Sequence, residues 1–166
     1  MMYAEDYDDC FPFVDYKVAF EDPVDPFGVF YPLKSYLRKH TVLRCPAGPG
    51  GDLTTSYAIN GTSERGLCGA IWWSRHVFPT AKVGDVRSPS SVILVTDCAV
   101  TGGTGGASGN MIRTFASTVF KPGYHEGGMN FAFVDGHVKW IDTKSVPEDA
   151  TTWKEKKISF DPSYVP

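Results

Sequence analysis

His125, Asn130, Asp135 and His137 crowd into one short stretch of the chain, and Asp97 closes an apolar run upstream of them. Imidazoles and carboxylates are ordinary ligands for zinc or manganese, and the same groups serve general acid–base chemistry. Asp97, His125, Asp135 and His137 therefore form a candidate metal set. A structural reading competes with it and is preferred. Asp135 sits where a turn favours Asp or Asn, and Gly136 supplies the backbone freedom that such a turn needs. His125 and Asn130 can tie the Gly127-Gly128 loop to its neighbours by hydrogen bonds. Cys98, next to Asp97, could be read as a nucleophile served by His125 or His76. Nothing around it resembles a cysteine-hydrolase motif, and a small buried residue at a strand end is the simpler account.

These residues need elements to hold them. The clearest is Asn130-Phe131-Ala132-Phe133-Val134-Asp135-Gly136-His137-Val138-Lys139-Trp140-Ile141. Asp-Gly between two alternating runs predicts a hairpin closed by a two-residue type I′ turn. That turn sets Phe133 opposite Val138 and Phe131 opposite Trp140, with all four on one apolar face. Pro89–Asp97 reads as a buried strand, β-branched and ending in a polar residue. Ser56–Asn60 reads as a short strand, and a last strand is expected near 157–160. Leu33, Tyr36, Leu37 and His40 fall at i, i+3, i+4 and i+7, which predicts a two-turn helix opened by Pro32. Met2, Tyr3, Ala4 and Tyr7 read as a helix end. The Gly-rich stretch 101–110 lacks the Gly-Lys-Ser/Thr ending of a phosphate loop.

The chain has 166 residues and a net charge of −3. A weakly acidic balance argues against a nucleic-acid partner, since phosphate binding needs clustered excess Lys and Arg. The charge is uneven. Residues 1–26 carry eight acidic groups against Lys17, a net of −7, which leaves +4 for the rest. Lys34, Arg38, Lys39 and Arg44 form a basic cluster. Opposite patches of this kind can steer self-association, so Lys34, Arg38 and Lys39 are assembly candidates. Trp72-Trp73 adds another, because adjacent strand residues face opposite ways and one indole is left for a partner. Four cysteines occur without a CxxC pair. Cys45 and Cys68 flank a Gly- and Pro-rich stretch and are the candidate disulfide.

His125 and Asp135-Gly136 together form an H-x9-D-G signature, and here the chain resembles the prepilin-type H-x9-DG family of type II secretion pseudopilins and type IV pilin-like proteins. Further segments resemble that family in its order: Met2–Asp9 with Phe11-Pro12, Leu33–Leu37, Val42–Pro46, Ser56–Asn60, Val92–Asp97 and Tyr124–Asn130. Tyr124 stands where the family usually has Arg. The motif residues are His125, Gly127, Gly128, Asn130, Asp135, Gly136 and His137. The resemblance implies an α+β, pilin-like fold in which the end of a long N-terminal helix packs on a small antiparallel sheet with long ordered loops. As a single domain over 1–166, this divides into a helix end (1–9), a helix–sheet connecting region (10–90), a sheet with its hairpin (91–142) and a C-terminal extension (143–166). It implies a non-enzymatic filament subunit that associates with itself or with other pseudopilins. Such a subunit is anchored in the inner membrane by an apolar helix upstream of Met1, with an extracytoplasmic, periplasmic head. Some pseudopilins bind calcium, so calcium or another divalent ion is the cofactor to test, with none assigned. The alternatives are a secreted carbohydrate- or protein-binding module and a metal-dependent secreted enzyme.

Overall fold

The computed structural model describes residues 2–15, 28–47, 56–61, 66–71, 77–97, 107–108, 111–112, 115, 120, 125–148 and 150–166. Its centre is a mixed sheet. Four strands build the middle and one edge: β2 (Tyr57–Asn60), β5 (Ile93–Asp97), β8 (Gly128–Phe133) and β9 (Val138–Asp142). These neighbours pair antiparallel in that order. On the other side β2 pairs parallel with β7 (Met111–Ile112), which pairs with β6 (Ala107–Ser108). A smaller sheet joins β1 (Phe13–Asp15), β3 (Gly69–Ile71) and β4 (Val77–Phe78), and a ribbon joins β10 (Thr152–Trp153) to β11 (Ile158–Ser159).

The α+β expectation is corrected by this architecture, which is mainly β. The α-helix whose ends are described, α1, spans only Met2–Asp6. It buries Ala4 and packs mainly on the segment 28–36. Asp8 and Asp9 then take left-handed φ values of 53° and 59°, and the Asp9 N–H caps the Ala4 carbonyl at 2.8 Å. Asp is among the few side chains that tolerate this region. The helix expected over 31–40 is instead two 3₁₀ segments, Gly28–Tyr36 and His40–Leu43. Pro32 lies inside the first, where it can donate no hydrogen bond to an i−4 carbonyl. Packing adds to the 3₁₀ bonding in this region: Phe30 and Leu43 are buried, with Leu33 and Leu37 against the same core.

Side-chain alternation splits the core between the two faces of the central sheet. One face carries Ala58, Ile93, Met129, Phe131, Phe133 and Ile141 against Phe115, Phe120, Trp153, Ile158 and Phe160. The C-terminal residues are therefore core, although 143–166 reads as a polar extension in sequence. The other face carries Ile59, Val92 and Val134 against Phe11, Val14, Phe30, Leu43, Leu67 and Cys68. Asn60, fully buried, links strands and tail by donating from Nδ2 to the Ile93 carbonyl at 2.7 Å and the Phe160 carbonyl at 2.9 Å.

The hairpin is present with a different turn. Ala132 pairs with Val138, Phe131 with Lys139 and Asn130 with Trp140, one residue away from the expected register. The loop has three residues. Gly136 donates to the Phe133 carbonyl and Phe133 to the His137 carbonyl, both at 2.9 Å, while Gly136 sits at φ 92°. A turn closed by a left-handed Gly is the three-residue hairpin solution. The shift changes which side chains share a face. Phe131 and Phe133 enter the aromatic core, whereas Val138 and Trp140 stay 63% and 47% exposed on the opposite face. The two-positive-φ turn occurs instead at Glu126 (59°) and Gly127 (86°), closed by reciprocal bonds between His125 and Gly128.

Candidate functional site

Three donor groups from distant parts of the sequence meet at the second face of the sheet: Cys45, Asp97 and His125. Asp97 ends β5. A bulge after Ile93 decides where it points. Ile93 pairs with Phe133 but Val95 pairs with Ala132, so the strand gains one residue at Leu94. Ile93 packs into the aromatic core, while Leu94 and Val95 both pack on the other side. In a regular strand, Asp97 would share the face of Ile93. The bulge shifts the alternation by one, so Asp97 lies with Val95 on the face opposite Ile93. The carboxylate is 2% exposed, and Oδ2 accepts the Asn130 N–H at 2.7 Å.

His125 is set by the tight turn before β8. Its carbonyl accepts the Trp140 Nε1–H at 2.8 Å. Gly128 makes room for that indole, because a Cβ there would lie 2.4 Å from the Trp140 ring and 2.6 Å from the Ile141 carbonyl. The imidazole Nε2 then stands 3.3 Å from Asp97 Oδ2. Cys45 follows the second 3₁₀ segment, and its Sγ lies 3.5 Å from the same Nε2. All three donor atoms lie within 4.8 Å of one another, so the group could hold a metal ion. Tyr57, paired with Asp97 across β2 and β5, borders the site. Burial, with Cys45 and Asp97 nearby, pushes its phenol above the usual range and keeps it a neutral hydroxyl. An open, apolar cleft of about 280 Å³ reaches Asp97 from this face, lined also by Tyr57, Val95, Ala132 and Val138.

The four residues of the sequence-predicted metal set do not converge. Asp97 and His125 come together, and Asp135 and His137 form a separate pair at the hairpin tip. There Asp135 Oδ1 lies 2.6 Å from His137 Nδ1 and accepts the His137 N–H at 3.2 Å. These bonds hold the Asp135 carboxyl below its ordinary 3.8. The His137 ring stacks on Phe133, centroids 4.3 Å apart. Sequence reasoning missed Cys45 as a ligand because it was assigned to a disulfide. That pairing is corrected here: Cys45 and Cys68 are both free thiols. Cys45 faces His125, while Cys68 is buried in the second core, where desolvation pushes its thiol far up.

The other motif residues act on the backbone. The Gly127 carbonyl accepts the Thr143 N–H and hydroxyl, and the Asn130 carbonyl accepts the Thr96 hydroxyl at 3.1 Å. Among the assembly candidates, Arg38 and Lys39 are exposed, and the Lys34 ammonium lies over the Tyr31 ring at 5.2 Å. The acidic N-terminus reaches this segment within one chain: Tyr36 donates its hydroxyl to Asp6 at 2.6 Å, which pushes the Tyr36 phenol up to about 12. Trp72, Trp73, His76 and Cys98 lie outside the described residues. Among the described residues, no helix is long and apolar enough to cross a membrane. Comparison with protein-family models, with curated proteins and with solved structures returns no match to this chain.

Proposed function

We propose that the chain is a non-enzymatic structural subunit of a pseudopilus- or pilus-like filament in a secretion system. The observation that carries this reading is how the H-x9-DG residues are used. Gly127, Gly128, Asn130, Asp135, Gly136 and His137 shape turns, accept backbone bonds or clear space for Trp140, which is the work of a scaffold. The geometry around Cys45 also fits a nucleophile poorly. A thiol–imidazole–carboxylate relay uses both ring nitrogens, one for the nucleophile and one for the orienting acid. Here Cys45 and Asp97 both approach Nε2.

Assembly would use the globular surface, with exposed Arg38 and Lys39 as cationic contacts to acidic groups of the next subunit. The test is expression of the complete gene product in its host, with filaments sheared from cells and examined by electron microscopy and subunit cross-linking. Filaments containing the protein are expected, and Arg38→Glu with Lys39→Glu should reduce them. A product that stays monomeric in its host would overturn the reading. Cation identity belongs to the same proposal at a coarser level. Calcium prefers six to eight oxygen ligands, and two of the three donors here are sulfur and nitrogen.

A further inference from the structure

We infer that Cys45, Asp97 and His125 form a zinc site that fastens the 40–45 segment to the central sheet. The first argument is distance. Zinc holds thiolate sulfur at about 2.3 Å and nitrogen or oxygen at about 2.0–2.2 Å in a tetrahedron. Tetrahedral angles then place sulfur and nitrogen about 3.6 Å apart, and nitrogen and oxygen about 3.4 Å apart. The observed separations are 3.5 Å for Cys45 Sγ to His125 Nε2 and 3.3 Å for His125 Nε2 to Asp97 Oδ2.

The second argument is convergence on one nitrogen. Neutral imidazole has one lone pair and one N–H, so Nε2 cannot serve two partners well by hydrogen bonding. A cation placed among Nε2, Sγ and Oδ2 satisfies all three at once. The third argument is burial. Asp97 is 2% exposed, and a buried carboxylate needs a counter-charge or a metal. The Asn130 N–H already holds Oδ2, as outer partners of metal ligands commonly do. Thiolate, imidazole and carboxylate together suit zinc better than the oxygen-seeking magnesium or calcium. Three protein donors leave a fourth tetrahedral position for water.

The test uses the whole chain, reduced with a phosphine, stripped with chelator and dialysed. Zinc should bind at one equivalent by elemental analysis. Cobalt(II), as a spectroscopic substitute, should give intense tetrahedral d–d bands and a thiolate-to-cobalt charge-transfer band. Cys45→Ser should abolish the charge-transfer band, and His125→Ala and Asp97→Asn should each lower metal affinity at least tenfold. Cys10→Ser and Asp135→Asn should keep full stoichiometry. Folding of each variant is checked by near-ultraviolet circular dichroism. Should Cys45→Ser fail to fold, alkylation of the unmutated chain decides: zinc should slow labelling of Cys45 at least tenfold and leave Cys10 unchanged. Sub-stoichiometric zinc in the folded chain would overturn the inference. So would a charge-transfer band that survives Cys45→Ser, or Cys45 labelling that zinc does not slow. The outcome is independent of whether filaments form.

Discussion

Exchange of Val138 for Thr, read beside Phe131→Ala as the buried control, distinguishes the observed hairpin register from its one-residue neighbour. Phe131 is fully buried, with the Phe120 ring 5.7 Å away and the Phe115 ring 6.4 Å away. Truncation removes a buried aromatic side chain and leaves a cavity, so Phe131→Ala should cost about 3–5 kcal/mol. Val138 is 63% exposed beside Ala132, so Val138→Thr should stay within about 0.5 kcal/mol. In the register of a two-residue Asp-Gly turn, Val138 would lie opposite Phe133 in the core. The same substitution would then bury a hydroxyl among aromatic rings at about 1–3 kcal/mol. Urea unfolding followed by circular dichroism reads both. With a slope of about 2 kcal/mol per molar, Phe131→Ala should lower the midpoint by roughly 1.5–2.5 M, and Val138→Thr should leave it nearly unmoved. A loss above about 1 kcal/mol for Val138→Thr, at unchanged slope, would refute the face assignment.

Gly128→Ala drives a methyl into Trp140 and the Ile141 carbonyl, so a loss of about 1–3 kcal/mol is expected in the same assay. The Trp140 indole N–H resonance should shift with it, and a variant of unchanged stability and spectrum would contradict the packing. Asp135 gives a pH signature. Its folded pKa is depressed, so its contribution is present at neutral pH and fades as pH falls through that value, below 3.8. Protection of the His137 amide, measured against its intrinsic exchange rate, should fall over that acid range in the unmutated chain and lose this dependence in Asp135→Asn. Cys68, buried and with its thiol pushed up, should resist iodoacetamide in the native metal-free chain while half-buried Cys10 and Cys45 label. Native labelling of Cys68 at the rate of Cys10 would show that its core opens readily.

Elements set by local chemistry are legible in the sequence, and those set by distant packing are not. The runs Val92–Asp97 and Asn130–Ile141 alternate or branch as strands should; β5 lies within the first, and β8 and β9 cover the second, overrunning it at Gly128 and Asp142. Asp135-Gly136 marks the hairpin, but the same dipeptide fits both a two-residue and a three-residue loop. The choice falls to burial: the observed loop puts Ile141, not Trp140, on the face of Phe131 and Phe133, against Phe115, Phe120 and Phe160, a wall that no local pattern reveals. The stripe Leu33, Tyr36, Leu37 suits an α-helix equally well as the 3₁₀ segment that Pro32 and the second core enforce.

The site was half legible for a related reason. His125 and Asp97 carry the right chemistry, and a polar residue closing an apolar strand is a visible signal. The face onto which Asp97 projects is not visible, because it depends on parity. The bulge at Leu94 turns the strand end over relative to a regular strand of the same sequence, and the run Val92-Ile93-Leu94-Val95 is apolar throughout, so either parity would look the same. Cys45 adds a second obstacle. It approaches His125 across 80 residues of sequence, and its neighbourhood shows only Cys-Pro after a short helical stretch. The bulge also gives a test. Deleting Leu94 sets Ile93 and Val95 side by side opposite Phe133 and Ala132, a regular ladder in which Asp97 keeps its face. The chain with Leu94 deleted should therefore hold zinc as Leu94→Ala does, while both lose packing. Loss of zinc on deletion alone, in a folded chain, would mean that pairing of β5 with β8 does not hold the carboxylate in place.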